Sequence, residues 1–427
     1  MNLALLDPFA VASDFPETLT ETLSYGYSSA VKFNQKGDYL ASGLGDGTIV
    51  IIDVETNNTI MVLRDHVRAI TSLCWSSSGR YLLSSSRDWK VNLWDLKTGK
   101  VVRFAVFSSP IWNCVMIPDH VYQFAAAVVD DEAVFVDMED ESDIKITQLS
   151  PDPVESVEGS SEGNEEREAS VPATGNKRKR LKKHVTLTCA VSIDGRYVFA
   201  GTNRGWVNVI YTDTLKTIGS LKVCDSNIKS IEIAPTGERM IVNSGDKTLR
   251  QYSVSSDYRE FELEQKYQDV VNKIQYNSVK FSHDSEYMCA STLGSTHDIY
   301  IWETKMGSLV KILEGSKEEL IEVDWNYRRC SIVATGMDSG MIYWWSVVVP
   351  QKWSNLAPDF EEIEENIDYE EKEDEFDMID SDRDSDRMDA KEQSEVDVVT
   401  REEKDARGFP FIDSFVIDSV LTETDGA

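Results

Sequence analysis

Four residues in one stretch have types and spacing that could do chemistry: His66, Ser84 (or Ser86), Asp88 and Trp94. A histidine beside a carboxylate is the commonest general base, and an imidazole is the commonest metal ligand. The spacing here points to a different use. Asp88 is placed to hold the imidazole, which faces a strand hydroxyl and the indole N–H, a hydrogen-bonded chain that ties a small sheet together. His66 is therefore read as a structural partner, not as a base or a ligand.

The elements that must position these residues are short strands. From His66 to Asp95 the chain reads HVRAITSLCWSSSGRYLLSSSRDWKVNLWD. Three runs alternate apolar with small or polar residues: Ala69 to Trp75, Arg80 to Ser84 and Lys90 to Trp94. A Ser-Ser-Gly turn and an Arg-Asp-Trp turn separate them, which is the pattern of half-buried antiparallel strands. With its upstream His, its turn Asp and its closing Trp94-Asp95, the unit resembles a WD repeat, one blade of a β-propeller.

The unit recurs. Gly37 and Gly79 are 42 residues apart, as are Asp46 and Asp88, and Asp53 and Asp95; a further 42 reaches Asp137. After an interruption the same frame returns with Gly195 as the turn glycine, and 42 later with Gly237 as the turn and Asp246 as the acid. Two looser units follow, one with Ser285 in place of the glycine and ending on Trp302, the other with Asp338 and Trp344 in the acid and aromatic positions. Seven units predict a closed seven-bladed propeller over residues 1–350, and closure removes free sheet edges. The first repeat begins only near Ser29, so Thr18 to Ser24 is expected to supply the outermost strand of the last blade and latch the ring.

The fold class expected is all-β, with a largely disordered acidic tail over 351–427. Of the formal charge of −32, a net of −19 (27 acidic and 8 basic residues) lies between Gln351 and Ala427. Six scattered cysteines without CxxC spacing read as free core thiols in a reducing compartment. The N-terminus has no basic, apolar leader pattern and no run of eighteen apolar residues occurs, so a soluble intracellular protein without a membrane contact is expected.

Residues 138–183 break the register. They open acidic, run through Ser, Gly, Pro and Glu, and form no core, so a disordered insertion is expected whose first residues extend the outer edge of blade three. The insertion ends in a basic run, Lys177, Arg178, Lys179, Arg180, Lys182 and Lys183, which matches a nuclear-import signal. In the tail, Ile363, Ile367, Tyr369, Phe376 and Ile379 punctuate a dense acidic field, a composition suited to docking on a basic, partly apolar groove. Glu395, Val396, Asp397, Val398 and Val399 alternate acid and apolar residues, enough for an extended peptide in a shallow cleft. The run from Gly408 to Leu421 is too apolar for a solvent tail and reads as a third docking patch or a strand laid on the propeller.

No catalytic, cofactor-binding or metal-ligating set is assigned: there is no GxSxG, Walker loop, HExxH or dinucleotide fingerprint. His120, His184, His283 and His297 fall in turns or loops without a Cys or His at ligand spacing. Two functions remain, a scaffold that binds other proteins through propeller and tail, or a direct reader of a modified peptide or nucleosomal nucleic acid. The acidity outside the tail argues against a general DNA-binding surface.

The strings MNLALLDPF, SLCWSSSGRYLLSSSRD, IYIWETKMGSLVKILEG and WSNLAPDFEEIEENIDYEEKEDEFD are similar to the retinoblastoma-binding-protein-five family, which includes the fungal Swd-one subunit. The resemblance covers the propeller and the first part of the tail. It implies a nuclear, chromatin-associated, non-catalytic scaffold of the COMPASS or MLL-type complex, whose separate SET-domain methyltransferase acts on lysine 4 of histone H3. By the same resemblance, Trp353, Leu356 and Pro358 would stimulate the SET domain. Phe360, Glu361, Glu362, Ile363, Glu364, Glu365, Ile367, Tyr369, Glu370 and Glu371 would hold a SPRY-domain subunit. Residues 395–399 would dock on a second WD-repeat propeller. The nucleosome would be met indirectly, with a weak DNA contact through the basic loop as the lesser reading, and no cofactor or small-molecule substrate is implied. Only one repeat ends in Trp-Asp, since Ile52 precedes Asp53 and Val136 precedes Asp137, so blade boundaries carry over only approximately.

Overall fold

The computed structural model describes residues 15–140, 144–149, 185–255, 258–269, 273–294, 298–326, 330–347 and 415–417. Among them are seven four-stranded antiparallel sheets, the blades of a propeller, and no helix. Blade 2 shows the common plan from inside outwards: Ile70–Trp75, Tyr81–Ser86, Lys90–Asp95 and Lys100–Val106. The sequence pattern revealed the first three strands and not the fourth. Outer strands have one covered side at most, and Lys100–Val106 leaves Val102, Phe104 and Val106 exposed, which blurs the alternation.

Middle strands fail to alternate for the opposite reason. In Thr48–Asp53 the run from Ile49 to Ile52 is wholly buried because both faces of each blade pack on neighbours. The side-chain period of two survives as a division between two cores. Ile49 and Ile51 join Leu82 and Trp94 in the seam between blades 1 and 2, whereas Val50 and Ile52 join Val333 and Trp344 in the seam between blades 7 and 1. Leu83, Val91 and Leu93 repeat the division one blade on, facing Phe124 and Ala126 of blade 3.

The 42-residue frame is a register. Tyr39 pairs with Asp53, Tyr81 with Asp95 and Gln123 with Asp137, at the same place in blades 1, 2 and 3. Turns between first and second strands need a left-handed residue, supplied by Gly37, Gly79, Gly195 and Gly237, and by Ser285 at φ 61°. Blade 3 uses a tighter turn, with Ile117 paired to His120 and Asp119 at φ 66°. Gly37 is also required sterically, because a Cβ there would lie 2.1 Å from Oδ1 of Asn326, whose Nδ2 donates to the Gly37 carbonyl at 2.9 Å across the closing seam.

Ring closure uses the N-terminal strand. Thr18–Leu23 pairs antiparallel with Ile342–Ser346, from Thr18 opposite Ser346 to Leu23 opposite Ile342, as the outermost strand of blade 7. Hydrogen bonds staple successive blades: Trp75 Nε1 to Lys32 O (2.9 Å), Asn113 Nδ2 to Cys189 O (3.1 Å), Asn277 Nδ2 to Leu320 O (2.9 Å) and Phe33 N to Asp324 Oδ2 (2.7 Å).

As expected, the first residues of the insertion form the outer strand of blade 3, Lys145–Gln148, and Met138 and Leu149 beside it are buried in the flanking cores, so the insertion begins later than residue 138. One sequence expectation is revised. In blade 7 the residue matching Trp94 is Trp345, not Trp344. Leu82 faces Trp94, and its counterpart Ile332 faces Trp345, because the preceding turn is one residue longer.

Candidate partner-docking surfaces

In blade 2 the imidazole of His66 is wholly enclosed. Its Nδ1 lies 2.8 Å from Asp88 Oδ2 and its Nε2 lies 2.9 Å from Ser84 Oγ, which also accepts from Trp94 Nε1 at 2.9 Å. Ser86 is not part of this chain: its hydroxyl donates to Arg68 O at 2.8 Å and accepts from Asp88 N at 3.2 Å. Burial raises the pKa of Asp88, but its bonds to His66 and to the Lys90 and Val67 amides outweigh this and hold it below the usual carboxylate range. With every polar atom engaged inside the sheet, the set has no face open to a substrate.

What the set positions is the turn after Ser86. Trp89 sits there with a left-handed backbone, φ 72°, where blades 1 and 4 have Gly47 and Gly205 and blade 5 has Lys247. For a bulky residue this conformation costs about 1–2 kcal/mol. The turn is held by Lys90 N to Asp88 Oδ1 (3.0 Å) and Phe107 N to Trp89 O (2.9 Å). Trp89 is 47 % exposed, and two further exposed apolar residues, Val67 at 77 % and Val106 at 54 %, lie on the segments hydrogen-bonded to that turn. Such a rigid aromatic on a strained turn suits protein contact better than core packing.

Charged residues line the first strands of blades 5, 6, 7 and 1. Lys280 pairs with Glu232 at 2.6 Å and Lys32 with Asp324 at 2.8 Å. Between them Glu322 accepts only a 3.2 Å bond from Val31 N, and burial, only partly offset by Lys280 and Lys32, raises its pKa to about 7. All six cysteines are free thiols, and burial pushes Cys114 and Cys189 up to about 12, so neither is a nucleophile at neutral pH. Among the described residues no cluster of His, Cys, Asp or Glu could hold a metal. His120 begins a strand and His283 lies in a turn.

The docking residues expected in the tail, Trp353, Leu356, Pro358, Phe360 to Glu371 and Glu395 to Val399, lie outside the described residues, as do the basic run Lys177 to Lys183, His184 and His297. Of the apolar run near the C-terminus, Phe415–Ile417 is described. Phe415 N donates to Ser78 O (2.9 Å) and Ile417 N to the Tyr39 hydroxyl (3.2 Å), and Ile417 is buried in the seam between blades 1 and 2. Sequence reasoning placed no residue in the Trp89 cluster. The available signal was a tryptophan in a turn position that holds glycine in the preceding repeat.

The family profile "WD domain, G-beta repeat" matches residues 20–53 and 57–95, which cover part of the latch strand, blade 1 and the first three strands of blade 2. Among curated proteins, the chain is 42 % identical to the COMPASS component SWD1 of Saccharomyces cerevisiae over 424 residues, covering 96 % of this chain and 95 % of that one. It is 41 % identical to the Set1 complex component swd1 of Schizosaccharomyces pombe, covering 86 % and 88 %. It is 31 % identical to the retinoblastoma-binding protein 5 homolog of Drosophila melanogaster, covering 86 % and 70 %. Among solved structures, the Cps50 (Swd1) β-propeller domain of Myceliophteria thermophila aligns with a TM-score of 0.69 at 37 % identity, covering 77 % of this chain and all of that domain.

Proposed function

The chain belongs to the family of Swd1 and the retinoblastoma-binding protein 5 homologues, and from that premise we propose that it is a scaffold subunit of a Set1-type COMPASS complex, which methylates lysine 4 of histone H3. The observation that carries this reading is identity of 42 % sustained over 96 % of the chain, tail included. A propeller repeat alone would fit many unrelated assemblies.

The scaffold is read as non-catalytic, and among the described residues the Ser84, His66 and Asp88 set is consumed in holding a blade. Work is divided between a rigid body and an acidic, aromatic tail. Trp353, Leu356 and Pro358 stimulate the SET-domain methyltransferase, Phe360 to Glu371 dock on the SPRY-domain subunit, and Glu395 to Val399 dock on a second WD-repeat propeller. Large apolar anchors supply affinity and the carboxylates steer and set register. The basic run Lys177 to Lys183 directs the subunit to the nucleus; neutral substitution leaves the free subunit cytoplasmic, and unchanged nuclear fluorescence would discard that role. The exposed Trp89 cluster favours a further contact on the propeller itself.

The deciding experiment is histone H3 methylation by the reconstituted complex, with the full chain against one stopped after Val349. Loss of activity with an unchanged circular dichroism spectrum places the function in the tail; full activity removes the tail from the mechanism. Replacing Phe360, Ile363 and Ile367 by Ala separates the steps, since it should release the SPRY-type partner at moderate salt and leave the melting temperature unaltered. Retained co-purification would refute the anchor assignment.

A further inference from the structure

Phe415, Val416 and Ile417 lie extended along the seam between blades 1 and 2, at the end that carries the turn glycines Gly37 and Gly79. Side chains alternate as on a strand: Phe415 half-buried, Val416 64 % exposed, Ile417 4 % exposed. Ile417 completes a core of Tyr39, Ile51, Trp75, Leu82, Trp94 and Leu96, and Phe415 packs at its edge. Backbone amides on both sides of Val416 donate to the propeller, one to Ser78 O and one to the Tyr39 hydroxyl. Two apolar contacts two residues apart, with main-chain bonds fixing the register, have the form of peptide recognition.

We propose that the seam between blades 1 and 2 is a socket for an extended aromatic-x-aliphatic peptide, filled by this chain's own Phe415-Val416-Ile417. The C-terminal end of the tail is thereby tied to the propeller. The other end leaves blade 7 after Ser346. The residues that flank 348–414, Ser346 and Phe415, are thus both held by the propeller. On the reading that the tail docks partners, two fixed ends limit the reach of the docking segments and reduce the entropy lost when they engage.

The socket can be tested apart from docking. In the full chain, Ile417→Asp puts a charge in the seam and vacates the socket, and Val416→Asp changes only the exposed residue. A fluorescent peptide of residues 408–421 should bind the Ile417→Asp chain at least tenfold more tightly than the wild-type or Val416→Asp chains, read by anisotropy, because only there is the site free (a tenfold change is about 1.4 kcal/mol). Adding Tyr39→Phe to Ile417→Asp removes an acceptor and should weaken the peptide several-fold with the fold retained. Equal binding to all chains, or to none, overturns the socket. A wild-type dimer in light scattering that Ile417→Asp dissolves would overturn occupancy in cis. Capture of the SPRY-type partner by the wild-type chain is scored separately: its failure rejects the docking reading and leaves the peptide result standing.

Discussion

Glu318 does in blade 7 what His66 does in blade 2. His66 stands four residues before the innermost strand of its blade and Glu318 two before its own, and each side chain ties the entry to that strand to the turn between the second and third strands. His66 reaches that turn through the Asp88 carboxylate. Glu318 reaches it directly: its Oε2 accepts from the amides of Asp338 and Ser339, both at 2.7 Å, and its Oε1 accepts from the Ser339 hydroxyl and from Tyr343 OH. Ala334 replaces the serine hydroxyl, and the indole of Trp345 donates instead to Glu314 O at 3.1 Å. The same joint is made by two different chemistries.

Removing the Ser84 hydroxyl strands two buried donors or acceptors at once, Trp94 Nε1 and His66 Nε2. Ser84→Ala should cost about 2–4 kcal/mol, and Ser86→Ala, which loses a single backbone bond, about 1 kcal/mol. Chemical denaturation of both variants checks the order; equal losses would show that the indole and imidazole find other partners.

The Glu318 carboxyl gives blade 7 an acid-sensitive joint. Burial raises its pKa, but the bonds from Ser339, Tyr343 and Asp338 prevail, and it lies below its ordinary value of 4.5. A depressed carboxylate stabilises the fold above its unfolded pKa, and that contribution disappears as pH falls through the folded value. Glu318→Gln should therefore melt several degrees below wild type at pH 7, with the gap closing as pH falls below the ordinary value of 4.5. A gap independent of pH would mean that shape, not charge, matters at this position.

Glu322 has the opposite sign. With its pKa raised to about 7 from an ordinary 4.5, the folded chain holds that proton more tightly than the unfolded chain does. Its effect on stability is thus unfavourable as pH climbs between those values, and stays so above. Glu322→Gln should raise the melting temperature by about 2–4 °C at pH 8 and leave it nearly unchanged at pH 4.5. A uniform shift at both values would reject titration of this group as the cause.

A chain beginning at Tyr25 lacks the strand Thr18–Leu23 and exposes the edge of Ile342–Ser346. Its melting temperature should fall by about 10 °C or more, and the open edge should promote self-association. Thermal melting with light scattering tests this. An unchanged melt would show that the first strand is dispensable for closure.

The number of blades was legible because it rests on a local repeat, a turn glycine, an acid and an apolar run in a 42-residue frame, and the latch because a strand-like run was left over before the first repeat. Outer strands such as Lys100–Val106 were not, since they face solvent on at least one side and their residues are under little compositional constraint. The tetrad was readable to the point of choosing between two serines. That choice depended on strand register, where Ser84 faces the core of the sheet and Ser86 faces the loop before the inner strand.

Sequence alone thus determined the all-β repeat, the closure and the family, because periodic burial and turn chemistry are properties of neighbouring residues. Tertiary structure decided what depends on strand pairing and on contacts between blades. It set Glu318 in the role of a histidine, raised Glu322 through burial among other blades' charges, and seated Ile417 in a core built by residues 39 to 96. The physical reasons differ: Glu318 meets Asp338, Ser339 and Tyr343 of its own blade through strand pairing, whereas Glu322 and Ile417 take their environment from other blades and from residues far away in the chain.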